Sequence, residues 1–297
     1  MSLIDAHVHL YPPEVAPDPA GWAAAHGEAH WAALCTRRRR DGRPVQTFPD
    51  VDGLLRDMDG AGVDRAVLQG WYWERPAACA RQNRFFADCV RAHPDRLSAF
   101  ATLHPAAGEA AVLAEIRRAH GEGLRGLGEL SPHSQGYGVD DPVFGAALAL
   151  AAELRLPVNL HTTDPQARSY PGKVETPSED FLRLAARFPA TAFILAHWGG
   201  GVLLLESNPR VRQTLANVCY DTAASPLIYD DRIWRAALDI VPAGKVLFGT
   251  DYPLVLYPRS ERAPGWGGIL AEMAGAGLTP LERTALLGSN AARLLGL

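Results

Sequence analysis

Short, near-continuous apolar runs alternate with longer amphipathic stretches from one end of the chain to the other. The runs Leu3–Leu10, Arg65–Gly70, Leu97–Leu103, Arg125–Leu130, Val158–Thr162, Ala192–His197, Val218–Thr222 and Val246–Asp251 are rich in Val, Ile, Leu and Phe. Apolar residues at nearly every position, rather than at every second one, predict strands covered on both faces. Between them, apolar positions spaced three and four apart predict helices over Val51–Ala61, Ala77–Ala92, Glu109–Glu122, Pro142–Arg155, Ser178–Arg187 and Arg232–Val241. Pro209 interrupts the stretch Val202–Asn217, which resists assignment.

Turn chemistry supports these boundaries. Gly60-Ala61-Gly62 and Gly121-Glu122-Gly123 place glycine stops just before strands. His93-Pro94 and Phe188-Pro189 end helices with proline. Eight strands separated by crossovers call for a parallel sheet, and at 297 residues a closed (β/α)8 TIM barrel is favoured over an open sheet. Two segments fall outside the repeat. Residues 11–49 form an insertion after the first strand, rich in Pro, Trp and Arg, expected to fold over the active face. Residues Thr279–Leu297 form an extra C-terminal helix, expected to pack beneath or beside the barrel. No linker divides the chain, so one domain spanning 1–297 is expected.

Composition narrows the function. Hydrophobic residues at 47% and charged residues at 21% are ordinary globular usage, which excludes disorder, collagen and coiled coil. A formal charge of −4 argues against nucleic acid as a partner. Four cysteines at irregular spacing, with no CxxC pair, make neither a disulfide framework nor a zinc ribbon. No secretory signal and no run long enough to cross a membrane is visible, so a cytoplasmic protein is expected. There is no P-loop and no GxGxxG between strand and helix, so no organic cofactor is expected.

The chemistry gathers at strand ends. His7 and His9 lie two apart on a predicted strand and therefore point to one side. Nitrogen ligands so placed suit a divalent cation. Glu129, His161, His197 and Asp251 each stand at or near the C-terminal end of another predicted strand. In a parallel barrel those ends meet at one mouth, where active sites are built. Trp71 and Trp73 follow the second strand, and Trp198 follows His197, as candidate pocket walls. The run Arg37–Arg40, with Arg38 as its representative, could clamp a substrate carboxylate. His133, Tyr137, Tyr170 and Lys173 fall in loops on the same face, unranked, and His26 and His30 read as surface residues.

With these marks the chain resembles the amidohydrolase superfamily, most of all the amidohydrolase-2 branch with its aminocarboxymuconate-semialdehyde decarboxylase-like members. The residues that carry the resemblance are His7-Val8-His9, His161, His197-Trp198-Gly199-Gly200, Gly249-Thr250-Asp251-Tyr252-Pro253 and the closing helix from Leu287 to Leu297. It implies one divalent metal, most often zinc, on His7, His9, His161 and Asp251, with His197 free as general acid/base. Many binuclear relatives carry a carboxylated lysine on strand four, but Lys173 and Lys245 are the only lysines and neither lies there. Glu129 could replace it, moving His161 and His197 onto a second metal and making Asp251 the base. Otherwise Glu129 orients a histidine ligand.

The resemblance implies an enzyme. A hydrolase of a small amide, lactone or ester stands first, with a non-oxidative decarboxylase of an aromatic or dienoic acid as the alternative. A non-catalytic metal- or ligand-binding barrel is the remote third. A homodimer would be common for the family.

Overall fold

The structure is a computed structural model that describes residues 2–297. Eight parallel strands follow one another around the sheet in chain order: β1 (Ile4–Val8), β2 (Arg65–Leu68), β3 (Leu97–Ala101), β4 (Gly126–Leu130), β5 (Val158–Leu160), β6 (Phe193–Leu195), β7 (Val218–Asp221) and β8 (Val246–Leu247). The last gap closes between β1 and the chain just beyond β8. Ala6 donates its N–H to Phe248 O (2.8 Å), and Asp251 donates its N–H to His7 O (2.9 Å). The result is a (β/α)8 barrel.

Helices wrap it. Two short ones, α1 (Pro19–His26) and α2 (Ala29–Cys35), lie in the insertion. Then come α3 (Val51–Ala61), α4 (Pro76–Ala92), α5 (Glu109–Gly121), α6 (Pro132–Gln135), α7 (Pro142–Glu153) and α8 (Ser178–Arg187). The difficult stretch after His197 resolves into α9 (Val202–Leu205) and α10 (Pro209–Thr214), with Pro209 starting a helix rather than breaking one. The rest are α11 (Ser225–Ile228), α12 (Arg232–Ile240), α13 (Gly267–Gly275), α14 (Pro280–Thr284) and α15 (Asn290–Leu295). Sequence periodicity gave α3 and α8 to the residue. It missed α13, whose apolar positions are diluted by five Gly and Ala residues in Gly267–Gly275.

The fourth expected strand ends at Leu130 as expected and the seventh overruns by one residue, while the other six run two to four residues too far at their C-terminal ends. There the backbone leaves the ladder to present side chains at the mouth: Asp251, expected to end the last strand, has a φ of +70°. The expected single closing helix is α14 and α15 joined by a wider turn over Ala285–Ser289. It packs against the N-terminal ends of the strands, where Asn290 Nδ2 donates to Ala243 O and Val246 O, both at 2.7 Å.

The main core lies between the strands and the helices around them, with Leu54, Met58, Phe86, Phe144 and Trp234 fully buried. Each such side chain contributes roughly 1.5–3 kcal/mol by leaving water. Inside the barrel Phe100 fills space that Gly126 leaves open, since a Cβ there would stand 2.5 Å from the ring. The insertion brings a separate apolar cluster in which Tyr11, Trp22 and Trp31 pack on Trp71 and Trp73. No helix among the described residues is long and apolar enough to cross a membrane.

Candidate metal centre

Each of the six strand-end residues reaches one spot at the mouth. His7 on β1 is fully buried and His9, just past its end, nearly so. His7 Nδ1 donates to Asp221 Oδ2 (2.9 Å) and His9 Nδ1 donates to Gln69 O (3.3 Å). Both rings therefore present the lone pair of Nε2, and the two Nε2 atoms lie 3.2 Å apart. Asp251 joins them, its Oδ1 3.2 Å from His9 Nε2 and 3.9 Å from His7 Nε2.

Glu129, His161 and His197 form the other half of the cluster. Glu129 Oε1 is 2.8 Å from His161 Nδ1 and 3.4 Å from His197 Nε2. Its second oxygen faces the first half, 3.7 Å from His7 Nε2 and 3.6 Å from His9 Nε2. Gly128 admits this glutamate: its φ is +138°, and a Cβ there would lie 2.7 Å from Asn159 O. A side chain fits neither that conformation nor that space.

His197 sits on an unusual turn. His197 and Trp198 both have φ of +58°, and Gly199, Gly200 and Gly201 continue in positive φ. Left-handed backbone is costly outside glycine, so neighbours must hold it. Asp221 Oδ1 accepts the His197 backbone N–H (3.0 Å), and His197 Nδ1 donates to Ala223 O (3.0 Å). Trp198 Nε1 donates to Ser225 Oγ (2.9 Å).

The electrostatics favour a cation. Burial opposes charge on His7, but Asp221 and Glu129 outweigh it and hold the ring well above the ordinary imidazole pKa. Burial likewise opposes charge on His197, yet Glu129 and Asp251 raise it to about 9. For Glu129 burial works against ionisation, while His161, His197 and His7 keep the carboxyl well below its usual range. Carboxylates that draw protons onto buried imidazoles draw a divalent cation for the same reason. Paired lone pairs facing each other at 3.2 Å, with carboxylate oxygens beside them, are the donor set such an ion requires. The residues fit a metal.

A cavity of about 650 Å³ opens above the cluster and is lined by His9, Glu129, His161, His197 and Asp251 at its base. Trp71 and Tyr72, stacked with ring centres 4.4 Å apart, form one wall. Arg37 and Arg39 enter from the insertion, and Tyr170 from the loop after β5.

Three expected substrate contacts fall elsewhere. Arg38 is exposed outside the cavity and donates to Gly42 O (2.8 Å), because a local pairing with Pro44 turns alternate arginines to opposite sides. Trp73 is buried in the insertion's cluster, with Nε1 donating to Gln82 Oε1 (2.6 Å). Trp198 packs on Trp234 in the main core. His133 is occupied by Asp180 (2.8 Å), Tyr137 donates to Gln135 Oε1 (3.2 Å) and Lys173 donates to Ala167 O (3.0 Å). His26 stacks on Trp22, while His30 is no simple surface residue, since its Nε2 donates to Gly172 O (2.9 Å). Asp221 was missed, although it stands next to the end of the predicted strand Val218–Thr222 and ends β7 itself, and so obeyed the rule that found the others.

Comparison with known proteins agrees with this geometry. The family model described as Amidohydrolase matches residues 4–297. The 2-amino-3-carboxymuconate-6-semialdehyde decarboxylase of Dictyostelium discoideum is 23% identical over 344 aligned residues, covering 99% of this chain and 91% of that protein. Among solved structures, 5-carboxyvanillate decarboxylase from Sphingomonas paucimobilis superposes with a TM-score of 0.75 at 19% identity, covering 100% of this chain and 99% of that one. The 5-carboxyvanillate decarboxylase from Novosphingobium aromaticivorans, solved with manganese and a nitrobenzoic acid, has a TM-score of 0.76 at 16% identity, covering 100% of this chain and 96% of that one. At such identities these structures speak for the fold. The match over residues 4–297 shows that the chain belongs to the amidohydrolase-2 family of enzymes.

Proposed function

We propose that the chain is a metal-dependent decarboxylase that removes CO2 from a small aromatic or dienoic acid without an oxidant. The observation that carries this reading is the placement of Arg37 and Arg39 in the cavity that holds the ligand cluster. Neither has a carboxylate partner within 4 Å among the described residues: the Arg37 side chain donates to Leu34 O and the Arg39 side chain to Val255 O. A decarboxylase must hold an acid, and an unpaired guanidinium in a cavity is suited to do so. The decarboxylase names of the similar proteins point the same way.

On this reading His7, His9, His161 and Asp251 would hold a divalent ion such as zinc, which would supply a Lewis acid for a substrate oxygen. Arg37 and Arg39 hold the substrate's acid end, and the stacked Trp71–Tyr72 wall flanks a flat body. As the bond to the carboxylate breaks, CO2 leaves and the electron pair stays on carbon. His197, whose Nε2 stands 3.4 Å from Glu129 Oε1, gives its proton to that carbon. Glu129 holds the His161 and His197 rings in place.

A second reading has its own support. Glu129 reaches both halves of the cluster, as a carboxylate between two ions would, and that favours a hydrolase of an amide, lactone or ester with Asp251 as base. Elemental analysis, with a panel of benzoic and dienoic acids assayed for CO2 beside a panel of lactones and esters, separates the two. One metal per chain and CO2 release are expected. Two metals per chain with hydrolysis and no CO2 would overturn the decarboxylase.

A further inference from the structure

We propose that Asp221 is a positioning residue that ties the ligand His7 to the proton-handling His197, setting the tautomer of one and the placement of the other. The inference rests on the metal-centre part of the reading above and not on which reaction follows. Asp221 ends β7, is fully buried and uses both carboxylate oxygens. Oδ2 accepts from His7 Nδ1 (2.9 Å) and from Asn159 Nδ2 (3.0 Å). Oδ1 accepts the backbone N–H of His197 and of Ala223, each at 3.0 Å.

The first arm decides which nitrogen of His7 is available. With its proton fixed on Nδ1, the ring must offer the Nε2 lone pair to the point where His9, Glu129 and Asp251 converge. A carboxylate behind a ligating imidazole fixes its tautomer and raises its basicity. The second arm grips the first residue of the left-handed turn, where φ is +58° and the backbone has no local reason to stay. Ala223, two residues along, accepts from the His197 ring itself (3.0 Å). The end of β7 and the two residues after it thus fix His197 by main chain and side chain while Asp221 fixes His7 by its ring.

Asp221→Asn tests this. Turned toward His7, the new amide N–H₂ meets Nδ1 and the Asn159 amide as donor against donor. His7 can answer only by moving its proton to Nε2, the atom that must ligate. Zinc affinity, measured by competition with a chelating dye, is expected to weaken at least tenfold. Ser225→Ala removes the hydroxyl that holds Trp198 in the same loop but touches neither histidine, and is expected to bind zinc within twofold of the parent. Nitrogen-15 NMR of the zinc-loaded parent should show His7 protonated on Nδ1. This spectrum decides the matter even where the variant does not fold. Equal zinc affinity in Asp221→Asn, or a His7 proton on Nε2 in the parent, would overturn the proposal. A parent chain that binds no zinc overturns the metal-centre reading and this proposal with it. A parent that binds zinc and releases no CO2 from any acid overturns only the decarboxylase.

Discussion

The guanidinium of Arg37 lies 5.1 Å from the centre of the Tyr170 ring, so the insertion and the loop after β5 meet across the cavity. Its Nε donates to Leu34 O (3.1 Å), which fixes the stem and leaves the outer nitrogens for a ligand. Arg38, the next residue, points away. Arg37→Ala should therefore raise KM for an acid substrate about tenfold or more, the loss of one charge-assisted pair. Arg38→Ala should change it by less than about twofold. Steady-state kinetics of the two variants check the assignment, and equal effects would contradict it.

Glu129→Gln separates one ion from two. If Glu129 only orients His161 and His197, the variant should keep the parent's metal count and bind its ion about 10–100-fold more weakly. If it stands between two ions, elemental analysis should show the count fall from two to one.

Gly128→Ala should destabilise the chain by at least ~2 kcal/mol in urea unfolding, since its methyl group meets Asn159 Cβ and O at 2.7 Å in a backbone conformation with φ of +138°. Metal affinity should fall with it, because relief of the overlap moves Glu129. A stable variant with parental metal affinity would mean that β4 and β5 separate without disturbing the cluster.

Glu28 gives a pH dependence remote from the metal centre. It is fully buried and accepts the backbone N–H groups of Glu74 (2.7 Å) and Arg75 (3.1 Å). Burial raises its pKa to about 7, against an ordinary 4.5. Between those values the folded chain binds more protons than the unfolded one, so the Glu28 contribution to stability is present below about pH 4.5 and is lost as pH rises through about 7. Compared with Glu28→Gln in urea unfolding at pH 5, 6, 7 and 8, the parent should lose stability as pH rises. Parallel curves would contradict the buried, proton-holding carboxyl.

Much of this was legible in the sequence because the barrel uses one rule eight times. Near-continuous apolar runs marked the strands, and polar residues at their C-terminal ends marked the mouth, which brought His7, His9, Glu129, His161, His197 and Asp251 together. Asp221 carried the same signal, but a lone Asp before Thr222 also reads as a turn residue. The walls were less legible. Trp71, Trp73 and Trp198 look alike in sequence, and only the path of the chain beyond the strand decides which ring meets the cavity. Arg38 was misplaced for a similar reason: in a run of four arginines, a small antiparallel contact sets which alternate members face inward.

The aromatic cluster that the insertion completes shares no residue with the main core, and two of its members, Trp71 and Tyr72, wall the cavity. The molecule therefore has a roof and a foundation that can come apart on different terms. Amides of α1 and α2 can exchange with solvent through a local opening that leaves the eight strands and their ligands intact. Substitutions in the roof can retune what enters while leaving the ion's hold on the barrel unchanged, so affinity for substrate and affinity for metal are free to drift independently.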